Sequence, residues 1–189
     1  MEYSKNVTLK DGRACILRNA VPQDAPAVLE NFILTHGQTD FLTSRPDEIH
    51  FTLEQEESFL QKKAESPFDA ELLALVDGKL AGTAGIDRIG AYDKVRHRAS
   101  FGISIDRAYW GLGIGRALLN ACIECAKSAG YTQLELDAVA DNKRAIALYE
   151  SAGFTEYGRN PRGFLSRVSG FQPLVLMRLD LDAAPVREP

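Results

Sequence analysis

The sequence predicts an α/β fold, a sheet flanked by helices, and three observations predict it. Residues 101–119 run from an apolar strand through a turn and three alternating glycines into an amphipathic helix. A second strand, 134–139, also runs directly into a helix. Asp-Gly pairs at 11–12 and 77–78 lie between strand-like stretches and mark hairpins, so much of the sheet is antiparallel.

A chain of 189 residues suits one domain, expected over 1–182. The residues after it, 183–189, include Pro185 and Pro189 and are expected to be a disordered tail. With 45% hydrophobic and 25% charged residues the chain has an ordinary globular balance, which excludes a low-complexity class. The net charge of −4 argues against nucleic acid as a partner. No apolar run reaches the roughly 18–20 residues of a membrane helix. The first residues carry no apolar signal stretch, so the expected location is cytoplasmic. Cys15, Cys122 and Cys125 are an odd set, as in a reducing compartment. Cys122 and Cys125 spell C-x-x-C, but inside a helix near its apolar face and without a second pair, so they read as core. His36, His50 and His97 show no ligand spacing, and no metal is expected.

In chain order, 7–9 and 14–18 form the first strand pair around Asp11-Gly12. Pro22 opens a helix through about Thr35 that buries Ala27, Val28, Phe32 and Ile33. The polar stretch 36–52 is a plain connector or a pocket wall, and a second helix covers 53–66. The near-continuous apolar run 70–76 is a central strand, paired through Asp77-Gly78 with 79–88. Strand 98–105 then enters the glycine loop, and the helix after it runs from Gly113 to about Ala129, stopped by Gly130. After strand 134–139, Asp141 is expected to cap a helix that Gly153 ends. Strands 155–159 and 174–181 close the chain, joined by a long loop over 158–172.

The glycine stretch carries the chemistry. Glycines let the backbone approach a ligand closely, and the following helix offers unpaired N–H groups and a positive dipole end. Together these suit a phosphate or pyrophosphate. A Walker A loop is excluded, because no Lys-Ser or Lys-Thr follows Gly115. A Rossmann fingerprint is excluded too, since Arg116 or Leu118 stands where its third glycine belongs. Trp110-Gly111-Leu112-Gly113-Ile114-Gly115 instead resembles the [Q/R]-x-x-G-x-[G/A] loop of the GNAT acetyltransferases, with Trp110 replacing the first residue. About 27 residues on, the stretch from Asn142 to Phe154 fills every named position of that family's N-x-x-A-x-x-L-Y-x-x-x-G-F pattern. The resemblance is specific over about 70–160.

The resemblance implies a mixed, mostly antiparallel sheet of about six or seven strands, flanked by helices. Its parallel pair, 98–105 and 134–139, splays apart to admit an acyl-coenzyme A. The backbones of Ile103 and Ile105, with Ser104 between them, would line its pantetheine arm. Backbone amides of Gly111, Leu112, Gly113, Ile114, Gly115 and Arg116 would hold its pyrophosphate. The implied reaction moves the acetyl group of acetyl-CoA to a primary amine. The acceptor is a small molecule such as an amino acid or polyamine, or a peptide N-terminus; a homodimer is compatible with this. The rival class is a non-catalytic acyl-CoA-binding module. Tyr149 matches the family's general acid at the cofactor sulfur, with a core aromatic as its rival role. Asn142 matches the asparagine beside the cofactor arm, with helix capping as the rival. Asp137 stands where ribosomal-protein alanine acetyltransferases carry a glutamate base. The lysine-acetyltransferase glutamate position holds Ala99, and His97 or a relay water is the fallback. Arg159, Arg162 and Arg167 either favour an acceptor bearing a carboxylate or phosphate or are merely solvated.

Overall fold

The computed structural model describes residues 2–181; the expected tail at 183–189 lies outside the described residues. The chain folds in the order β1 (Ser4–Thr8), β2 (Ala14–Asn19), α1 (Ala25–Gln38), α2 (Leu53–Glu65), β3 (Ala70–Val76), β4 (Lys79–Arg88) and β5 (Arg98–Ile105). It continues with α3 (Ile114–Ser128), β6 (Gln133–Val139), α4 (Lys143–Glu150), β7 (Thr155–Ser166) and β8 (Gly170–Asp180). All eight strands join one sheet in the order β1-β2-β3-β4-β5-β6-β8-β7, so the expected six or seven is exceeded. Every pairing is antiparallel except β5 with β6.

Strand alternation sorts side chains to two faces. On one face Leu118, Leu119, Cys122 and Cys125 of α3 meet Leu72, Ile86, Phe101 and Leu134 in the main core. The two cysteines are buried free thiols, with Cys125 pushed up to about 11 by burial, as core packing requires. On the other face α1 and α2 bring Val28 and Leu60 against Leu73 in a smaller cluster. Among the described residues no helix is long and apolar enough to cross a membrane.

Two further expectations change. The segment 158–172 is no loop: β7 and β8 form one long hairpin turning at 167–169. Pro161 and Gly163, which read as loop residues, sit in an irregularity where 161–163 oppose Pro173 alone. β7 is the sheet's edge, where a missing N–H and a bulge are tolerated. The cap of α4 is Asn142, whose Oδ1 accepts the Ala145 N–H at 3.3 Å, and not Asp141.

Candidate active site

The parallel ladder between β5 and β6 is short. Arg98, Ala99 and Ser100 pair with Gln133, Leu134 and Glu135, and then the strands part. Arg98 and Glu135 form a two-pronged ion pair across that closed end, which holds the Glu135 carboxyl below its usual range. Hydrogen bonds from Ile89 N–H to Arg98 O and from Asp106 N–H to Ala81 O fix which groups of β5 face β4. By alternation Gly102 and Ser104 bond to β4, whereas Phe101, Ile103 and Ile105 turn their N–H and C=O groups into the gap. The Ile105 carbonyl is already taken: the Trp110 indole N–H donates to it at 2.8 Å. Ile103 and the Ile105 N–H remain as open ladder groups.

The gap opens onto the glycine loop. Gly111 and Gly113 hold left-handed backbone, φ +87° and +100°, which disfavours any residue with a Cβ. Gly113 is the N-cap of α3 and offers no side chain, so the N–H groups from Gly113 to Arg116 have no partner in the helix ladder. Neighbours brace the loop. The Lys10 N–H, in the β1–β2 turn, donates to the Leu112 carbonyl at 3.0 Å. Gln38 at the end of α1 holds Asp106 and the Arg107 N–H. The Arg116 guanidinium turns away to the Ser151 carbonyl, leaving its backbone N–H for a ligand.

A cleft of about 650 Å³ brings together Ile103, Ser104, Ile105, Gly111, Gly113, Ile114, Gly115, Arg116, Asn142 and Tyr149. Leu112 and Asp137 are outside its lining. Tyr149 is buried, edge-on to Phe101 at 6.1 Å, and burial pushes its phenol up to about 12. Lys10 and Arg144 also line the cleft, and the Arg144 guanidinium lies 5.0 Å from the Trp110 ring. Sequence reading missed both, because their place follows from tertiary packing and not from motif spacing.

A second cavity, about 790 Å³, lies on the α1–α2 face of the sheet, and Leu42, Thr43, Ser44 and Phe51 of the 36–52 connector are in its wall. Ile103, Ser104 and Leu42 line both cavities. Its floor is one row across the sheet: Glu71 pairs with Gly85, which pairs with Gly102. Extending the β5–β6 register would set Asp137 opposite Gly102. Asp137 is exposed on that face, and burial and the Glu135 charge raise its carboxyl. Glu71, unforeseen from sequence, was signalled by a lone charge in the apolar run 70–76. His97 is exposed just before β5, at the closed end of the ladder and some 20 Å of strand from Ile103. The three arginines are engaged elsewhere. Arg159 pairs with Glu156 at 2.7 Å, Arg167 with Asp47 at 2.7 Å, and Arg162 lies 3.9 Å from the Phe171 ring centre. None of them lines the second cavity.

A parallel strand pair that splays toward a glycine-capped helix sets open strand-edge groups beside unpaired helix N–H groups, which suits a ligand with an extended arm and a phosphate group. Residues 34–154 match the family model described as the acetyltransferase (GNAT) family, and the chain belongs to that family. It is 37% identical over 113 residues to N-alpha-acetyltransferase RimI of Mycobacterium tuberculosis, 60% of this chain and 68% of that one. It is 26% identical over 140 residues to the L-amino acid N-acetyltransferase AaaT of Escherichia coli, 74% and 82% of the two chains. The crystal structure of a GNAT-family acetyltransferase from Streptococcus pneumoniae superposes with a TM-score of 0.84 at 33% identity, covering 88% of this chain and 99% of that one. The protein is an acetyl-CoA-dependent N-acetyltransferase.

Proposed function

We propose that the protein acetylates the primary amine of a small molecule such as an amino acid or polyamine. The observation that carries this reading is the second cavity, a half-open space of about 790 Å³ that meets the cofactor cleft at Ile103 and Ser104 and is lined by Glu54, Glu56, Glu71 and Asp87 against one lysine, Lys62. Carboxylates attract an ammonium group, and a cavity of this size suits a small acceptor. Similarity to an L-amino acid N-acetyltransferase agrees with it.

On this reading the open N–H groups of Gly113 to Arg116 hold the pyrophosphate of acetyl-CoA, with the helix dipole adding to their attraction. The free edge of β5 at Ile103 aligns the pantetheine arm. Tyr149 acts as general acid: a phenol raised to about 12 stays protonated and can hand its proton to the departing thiolate. Asn142 spends its Oδ1 on capping α4, which leaves its amide N–H₂ to donate to the cofactor arm.

The test is thiol release from acetyl-CoA against amines, amino acids, polyamines, aminoglycosides and N-terminal peptides. Turnover with a small amine supports the reading. Turnover with peptides alone would favour a protein N-terminus, the reading that similarity to RimI supports. Acetyl-CoA binding without any turnover would favour the non-catalytic module.

A further inference from the structure

Glu71 is the single charged residue of β3, between the buried Ala70 and Leu72. Its carboxylate lies across the neighbouring strand: a Cβ added at Gly85 would collide with Glu71 Oε2. The glycine therefore creates the room through which the side chain reaches toward β5. Strands are spaced by about 4.8 Å, so a carboxylate over β4 stands roughly 5 Å from β5. There Gly102 offers open space, with nothing within 4 Å of a Cβ built on it. Two glycines thus clear a side-chain-free trough between the carboxylate and the strand edge that would hold the thioester.

Among the described residues Glu71 has no ion-pair partner that would explain it as a structural charge. Lys63 of α2 donates its ammonium to the Ile86 carbonyl and to Asp87. Glu71 accepts a hydrogen bond from Thr83. We propose that Glu71 is the group that takes the proton from the acceptor's ammonium, at the end of the trough beside Gly102. The inference rests on the small-amine reading above and names the proton acceptor that reading lacks.

The proton balance closes. The ammonium gives its first proton to Glu71, which later releases it to solvent. The nitrogen lone pair forms the bond to the acetyl carbon as the carbon–sulfur bond breaks. The second nitrogen proton leaves as the amide forms, and the sulfur receives one through Tyr149, which is thereby restored. Burial pushes the Glu71 carboxyl up to about 7 against the lowering influence of Lys63 and Thr83, and Asp87 and Glu56 add repulsion. The other groups facing the cavity are Glu54 and Lys62 from α2 and His36 from α1, whose imidazole burial pushes below its usual range. On the far face the buried Cys122 thiol feels the Glu71 charge. A base near neutrality is well matched to this work.

The experiment compares wild type, Glu71→Gln and Asp137→Asn on the best amine of the panel, with pH profiles of kcat/KM and acetyl-CoA binding by calorimetry. Glu71→Gln should lower kcat at least about 100-fold and abolish the limb near neutrality, with acetyl-CoA affinity within about twofold of wild type. Unchanged acetyl-CoA affinity establishes that the variant is folded. Gly85→Ala, which pushes on the carboxylate without removing it, should raise the amine KM severalfold. Retention of rate and profile in Glu71→Gln, or loss of the limb in Asp137→Asn instead, would overturn the assignment while leaving the small-amine reading intact. A wild type that binds acetyl-CoA but acetylates no small amine would overturn both.

Discussion

At the scale of single residues, Tyr149 and Glu71 are both held away from their ordinary ionisation by burial, with opposite consequences. Tyr149→Phe removes a proton source and little volume. It should reduce kcat about 10–100-fold and change acetyl-CoA affinity less than threefold, as steady-state kinetics beside calorimetry would record; equal losses in both would count against the acid role. Glu71 makes a statement about stability. A carboxyl whose folded pKa is raised binds its proton more tightly in the folded state. Its contribution is fully present below the unfolded value of 4.5 and is lost as pH rises through about 7. At pH 8 the folded protein holds a buried carboxylate that unfolding would return to water. Glu71→Gln should therefore melt a few degrees higher than wild type at pH 8, and the gain should shrink at pH 5. A mutation that stabilises the fold while stopping the reaction is what a site-bound charge should give.

Elements set which residues could be foreseen. The glycine loop and the 142–154 helix are local patterns, legible because turn, cap and helix face are written within a dozen residues. Glu71, Gly85 and Gly102 come from three strands, and only the pairing register aligns them. The final hairpin was misread for the opposite reason. Pro161, Gly163 and Pro173 are genuine breakers, yet the bulge on an edge strand absorbs them together. Gly113 tests the loop as an element. Gly113→Ala forces a Cβ into left-handed backbone at about 1–2 kcal/mol. Thermal melting should fall by a few degrees, and acetyl-CoA should bind at least about tenfold more weakly by calorimetry, because the N–H groups of the cap lose their aim.

Across the whole molecule, the closed end of the β5–β6 pair is the fulcrum of the opening. Removing Arg98 strands the buried Glu135 without its partner, so Arg98→Met should cost about 2–4 kcal/mol at neutral pH. Glu135 has a depressed folded pKa, so this stabilisation exists above the unfolded value of 4.5 and is lost as pH falls through the folded one. The gap between wild-type and Arg98→Met melting curves should accordingly close in acid.

The two cavities meet at Ile103, Ser104 and Leu42, and each keeps a lining of its own beyond them. Carrier and acceptor can thus be resident simultaneously, neither having to depart before the other arrives. The three thiols, Cys15, Cys122 and Cys125, are buried and line neither space, so no cysteine is placed to store the acyl group between visits. Initial-rate plots should then intersect instead of running parallel. Isotopically labelled free coenzyme A should exchange no label into acetyl-CoA until an amine is added.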